Sequence, residues 1–251
     1  MTLPAGINAN WLKQRFGAGL SFVDRNGIPF SDSVFDFQLC AAADWIEMEL
    51  GVVIGPRSVV GERYNVTNIT PPWFNTRPAK NRPVREVTGI RFRWGNNPQA
   101  QEIPYQWGMV RQNRLIEIVP DYYTPFVPNP NVVWLNTYAL PWSNNMIPGF
   151  LEIDYEAGFD GVTLPVPPSL LNALGLKAIV LALVALGNQL FPPGTTNLSR
   201  SQDGLSQSRG TTQSANSVLF GAQIKLYQDL LAEQMVTLRG QFGGSVKFGA
   251  I

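Results

Sequence analysis

Between Ser33 and Leu50 apolar side chains recur at Phe35, Leu39, Ala42 and Ile46, the three-and-four spacing of a helix with one buried face. Ser33-Val34-Phe35-Asp36 reads as a capping box, in which a hydroxyl and a carboxylate satisfy first-turn amides, and Gly51 supplies the left-handed residue that ends the spiral. The spacing predicts a helix over 33–50. From Val52 to Tyr155 the period changes to two, in short β-branched and aromatic runs broken by Gly, Pro and Asn. Ile90-Arg91-Phe92-Arg93-Trp94 is the clearest of these runs, with residues 90, 92 and 94 on one face and two arginines on the other. Further strands are expected at 58–66, 100–104, 115–119, 132–135 and 151–155. Prolines at 71, 72, 78, 83, 120, 125, 128, 130, 141 and 148 keep them short and argue for antiparallel hairpins.

After Pro165-Val166-Pro167-Pro168-Ser169 the chain is apolar nearly all round from Leu170 to Phe191, and Pro192-Pro193-Gly194 stops it. Asn172 and Lys177 interrupt its first half and Asn188 and Gln189 close its second. The uninterrupted stretch, Ala178 to Gly187, is short of the about 20 residues a membrane span needs. A helix that is hydrophobic on all sides is then expected in a core. Residues 192–217, rich in Ser, Thr, Gln, Asn and Gly, read as a flexible polar loop. Phe220, Ile224, Tyr227, Leu231, Met235 and Leu238 mark an amphipathic helix over 218–239 that Gly240 ends, and the tail to Ile251 alternates in strand fashion.

The expected class is therefore α+β, a helical bundle core with helices near 33–50, 169–191 and 218–239 and a β-hairpin-rich insert. Its divisions are an N-terminal arm over 1–32, the core over 33–51 and 151–239, the insert over 52–150 with the polar loop at 192–217, and a C-terminal arm over 240–251.

Composition narrows the function. Of 251 residues only 15% are charged, against about 25% in an ordinary soluble domain, so the surface expects to be covered by neighbours. There is no histidine, which closes the Ser-His-Asp and Cys-His systems and the usual zinc sites. Cys40, the only cysteine, lies in the apolar run Leu39-Cys40-Ala41-Ala42 and reads as a small core residue. Neither a phosphate-binding loop nor a dinucleotide fingerprint occurs. Glu152 and Asp154 share one face of a strand and could in principle serve a hydrolase as a carboxylate pair. Acids on the wet face of a half-buried strand are the more ordinary reading. No catalytic, cofactor-binding or metal-ligating residue is assigned, and the chain is not expected to be an enzyme. No basic and apolar leader opens it, which makes the cytosol the expected place of synthesis.

Two charged segments stand out. Arg77, Lys80, Arg82, Arg85, Arg91 and Arg93 carry six of the nineteen basic residues against one acid, Glu86, with aromatics nearby. Asp36, Asp44, Glu47 and Glu49 give the first helix an acidic face. Basic residues among aromatics can hold single-stranded nucleic acid, but a net charge of +1 gives no general attraction to it. A solvated face, or pairing with an acidic surface of a neighbouring subunit such as the helix over 33–50, is the expected role of the basic segment.

The succession of an acidic helix, a β-rich insert, Tyr155-Glu156-Ala157-Gly158-Phe159, then Val166-Pro167-Pro168-Ser169-Leu170-Leu171 and an apolar helix resembles the head-to-tail connector, or adaptor, proteins of tailed bacteriophages. The likeness covers 151–190 well and 33–51 loosely. It implies a virion protein of the neck, assembled in the host cytoplasm into a homo-oligomeric ring, commonly twelvefold. That ring would sit between the portal protein and a tail or stopper protein, and double-stranded DNA would pass its lumen during ejection without sequence recognition. It implies no cofactor and no membrane. A C-terminal arm including Phe242, Val246, Lys247, Phe248 and Ile251 would dock on the portal by strand addition. Another neck or tail component such as a tail terminator, and a DNA-contacting accessory protein, are the alternatives.

Overall fold

The computed structural model describes residues 3–24, 26–66, 76–93, 100–121, 147–190, 197–202, 205–210 and 220–242. The chain is mixed α+β and divides into two compact units, one of residues 3–50 and 166–251, the other of 51–165. The expected insert thus extends to 165, because the strand expected at 151–155 belongs to its sheet and not to the helices.

In the first unit, helix α1 (Ala9–Phe16) falls where an irregular arm is expected. Two side chains cap it: Asn8 accepts from the Trp11 amide at 2.9 Å and Asp36 from the Ala9 amide at 2.8 Å. Helix α2 (Asp32–Leu50) begins one residue earlier than expected. Asp36 is spent on α1, and Ser31 takes over part of the capping work, accepting from the Ser33 amide at 3.3 Å. Phe35, Leu39, Ala42 and Ile46 are fully buried, as their spacing requires.

Helix α3 (Pro168–Leu190) opens on proline, whose missing amide is harmless in a first turn. It packs against α1, α2 and the final helix, α4 (Gly221–Phe242). By length and composition it could cross a membrane, yet 67% of its most apolar window is buried within the protein. Gly175 lets the ring of Phe16 lie directly on its backbone, and Lys177 sets its ammonium 4.1 Å from the Trp45 ring centre, where a charge in an apolar helix is tolerable. Helix α4 runs through Gly240, the residue expected to stop it, to Phe242. Within the expected polar loop, Asn197–Gln202 and Leu205–Gly210 pair as an antiparallel hairpin with Gln202 opposite Leu205. The intervening sequence, Asp203-Gly204, is a strong hairpin signal.

Among the described residues the second unit holds seven strands. These are β1 (Arg57–Val66), β2 (Thr76–Pro78), β3 (Val84–Arg93), β4 (Ala100–Ile103), β5 (Gly108–Arg111), β6 (Leu115–Ile118) and β7 (Ile147–Ala157). The hairpin strands of the first unit follow as β8 and β9. One antiparallel sheet has the order β1-β7-β3-β4 and a second the order β2-β6-β5. Ile90 and Phe92 of β3, Ile116 and Ile118 of β6, and Leu151, Ile153 and Tyr155 of β7 share a single core that joins the two sheets. The strand expected at 132–135, residue Trp94, and the tail residues Val246, Lys247, Phe248 and Ile251 lie outside the described residues. Phe242 is the last residue of α4, partly buried.

Candidate interaction surfaces

Strand β7 is the axis of the charged sheet face. Its odd residues Leu151, Ile153, Tyr155 and Ala157 turn into the core, so Glu152, Asp154 and Glu156 project from the opposite face. Glu152 meets three guanidinium groups, Arg91 at 2.9 Å, Arg93 at 3.1 Å and Arg63 at 3.5 Å. Asp154 sits between two glycines on the flanking strands. It accepts from the Gly61 amide and from Arg91, both at 2.7 Å, and a β-carbon at Gly89 would lie 2.7 Å from its carboxylate. Arg85 bridges Glu156 at 3.1 Å and Asp160 at 3.0 Å. Asp160 also accepts from the Thr163 hydroxyl and from the amides of Leu164 and Val162, which together hold its carboxyl far below the usual carboxylate range, the Thr163 bond contributing most.

Three of the six basic residues singled out in the sequence, Arg85, Arg91 and Arg93, are therefore neutralised inside their own unit by acids about 60 to 75 positions away in sequence. Arg77 is buried, 5% exposed, and burial lowers its pKa. It lies near Tyr64, which with Glu62 belongs to a second polar group. Glu62 accepts from the Tyr155 hydroxyl at 2.5 Å and from the Lys80 amide at 3.1 Å, while the Asn81 amide donates to the Tyr155 oxygen at 3.2 Å. Burial, and then the carboxylate of Glu62, push the Tyr155 phenol up to about 12 and that of Tyr64 higher still. These contacts tie β1, β7 and the segment before β3 together.

Lys80 and Arg82 are different: among the described residues no carboxylate pairs with either. The acidic set also divides. Asp36 caps α1 and Glu49 pairs with Arg239, whereas Asp44 stands exposed and Glu47 is half-buried. Around Asp44 the outer stripe of α2 carries Phe37 and Met48, 69% and 79% exposed.

Helix α4 is barer still. It rests on the other helices along one seam of Ile224, Leu231, Met235 and Leu238, helped by Tyr227 donating to the Phe16 carbonyl and Gln234 to the Ser169 carbonyl. On its outer side Leu226, Leu230 and Val236 are 56%, 44% and 69% exposed, and Asp229 and Glu233 have no ion-pair partner among the described residues. Sequence reasoning missed this face and Arg114, which the fold sets beside Arg82. The apolar residues left over after the buried seam of α4 is assigned were the available signal. Nothing local announces the meeting of Arg114 with Arg82. Among the described residues no group of histidine, cysteine and carboxylates could hold a metal ion.

No family model matches the chain, and no curated protein matches it. Among solved structures it is similar to a chain of the virion of a native gene transfer agent particle, at 15% identity and a TM-score of 0.45 over 90% of this chain and 92% of that one. It is similar also to a chain in the neck of an empty gene transfer agent particle computed with C6 symmetry, at 17% identity and a TM-score of 0.42 with the same coverage. A chain in the neck of the native particle computed with C12 symmetry follows at 16% identity and a TM-score of 0.30, covering 78% of this chain and 82% of that. Likenesses at such identities and scores assign no role, so function has to be read from this chain's own residues.

Proposed function

We propose that the protein is a structural component of the neck of a tailed, phage-like particle. In this reading it is an adaptor that assembles into a closed ring between portal and tail, lets DNA through the lumen and turns over no substrate. The reading is carried by the strand–turn–helix from Tyr155 to Leu171, the part of the sequence that resembles connector proteins, in which the motif residues have defined tasks. Tyr155 and Ala157 finish the core face of β7. Gly158 turns the chain at φ +89°, its amide donating to the Pro83 carbonyl, and Phe159 is buried directly after it. Val166 is buried, and Pro168 opens the apolar α3.

Two observations weigh against the other classes. Glu152 and Asp154 are held by three and one arginines, and a carboxylate so paired is a poor base or nucleophile. The arginines of the same face are equally occupied, which leaves little positive field there for nucleic acid. The uncovered apolar stripes of α2 and α4 are what a subunit of an assembly would expose when alone.

Native mass spectrometry of the purified protein, alone and mixed with the portal of the same particle, tests the proposal. A single closed stoichiometry that binds the portal is expected. A monomer in both samples would overturn it.

A further inference from the structure

Residues 51–165 contain ten cationic and nine acidic side chains, every one within the described residues. Arg63, Arg85, Arg91 and Arg93 are matched to acids on β7 and after it, and Arg111 to Glu117 at 3.0 Å. The side chains of Lys80, Arg82 and Arg114 form no ion pair among the described residues, and the backbone brings the segments that carry them together. The Ala79 amide donates to the Arg114 carbonyl at 3.1 Å and the Val84 amide to the Asn113 carbonyl at 2.8 Å. The tip of the β5–β6 hairpin is thus stitched along both ends of the segment that carries Lys80 and Arg82. Arg114 lies close enough to Arg82 for the two charges to repel, with Lys80 on the same segment, a repulsion that an acidic partner would reverse.

The opposite patch lies on α4. Leu226, Asp229, Glu233 and Val236 follow at intervals of three, four and three, one outward stripe. Asp229 and Glu233 are like charges one turn apart, an arrangement that weakens a helix unless something positive covers it. Lys225, one turn before Asp229, forms no ion pair with it.

We propose that the Leu226–Asp229–Glu233–Val236 stripe of α4 docks on the Lys80–Arg82–Arg114 corner of a second copy of the chain. This rests on the ring reading above and names the contact that builds it. Because the two patches differ, the contact is head to tail, the kind that closes into a ring when its rotation permits. The apolar pair supplies burial, and the charges set register and reject wrong partners.

The test is a charge exchange. Asp229→Lys with Glu233→Lys is one variant, Lys80→Glu with Arg82→Glu and Arg114→Glu a second, and all five together a third. Each is checked for folding by circular dichroism and for assembly by sedimentation and native mass spectrometry. Each separate reversal is expected to weaken association by at least about a hundredfold, since like charges facing each other at an interface cost several kcal/mol. The combined variant, which restores opposite signs, is expected to reassemble. Separate reversals that assemble like the wild type, or a folded combined variant that stays dissociated, overturn this contact while leaving the ring itself standing. A wild-type protein that is monomeric overturns both.

Discussion

Gly158 stands where a β-carbon would come 2.0 Å from the Gly55 carbonyl oxygen, at a φ of +89° that L side chains rarely adopt. Both penalties act on the folded state, so Gly158→Ala should cost at least about 2 kcal/mol, read from urea unfolding. Tyr155 carries a different liability. Its phenol ionises at about 12 in the folded protein against 10.0 for an unperturbed tyrosine, burial being the larger cause and Glu62 the next. A pKa raised on folding means the contribution is fully present below pH 10 and is lost as pH rises through about 12. Tyr155→Phe should lose about 1–3 kcal/mol at neutral pH, because the buried Glu62 carboxylate forfeits a donor, and should show a smaller further loss between those two pH values. Unfolding midpoints measured across that range check both statements. Asp160 has the opposite sign: its pKa is depressed, so what its bonds add is present at neutral pH and disappears only in strong acid.

At the scale of elements, β7 decides what the arginine-rich segment can do. Glu152→Gln with Asp154→Asn would leave Arg63, Arg91 and Arg93 with weakened partners and a net positive sheet face. Fluorescence anisotropy should then find duplex DNA binding that falls steeply with salt, where the wild-type protein shows none at moderate salt. Wild-type binding of equal strength would refute the neutralised-face description. The same strand shows how much of the fold could be read in the residues. Helical spacing in α2, α3 and α4 and alternation in β1, β3, β6 and β7 reveal themselves locally, since each buries one face or, for α3, nearly all of it. Helix α1 escaped because Ala9 and Leu12 are its only buried residues and its caps are Asn8 and the distant Asp36. The charged pairs escaped for the same reason: a basic run reads as a surface until the strand that neutralises it, some 60 residues on, is known to lie beside it. Asp203-Gly204 in the sequence between β8 and β9 is nonetheless a local hairpin signal.

For the whole molecule, two compact units of nearly balanced charge bury their cores well and leave specific residues uncovered: Phe37 and Met48 on α2, Leu226 and Val236 on α4, and the cations at 80, 82 and 114. A lone subunit gains nothing from these, and a ring subunit gains its neighbours. The low charged fraction fits the same economy, because a surface that neighbours cover has less need of charge to stay dispersed. The most direct measurement is electron microscopy of the purified protein, alone and mixed with the portal of its own particle. The account predicts closed rings that stack coaxially on the portal. Monomers that ignore the portal in the mixture would contradict it.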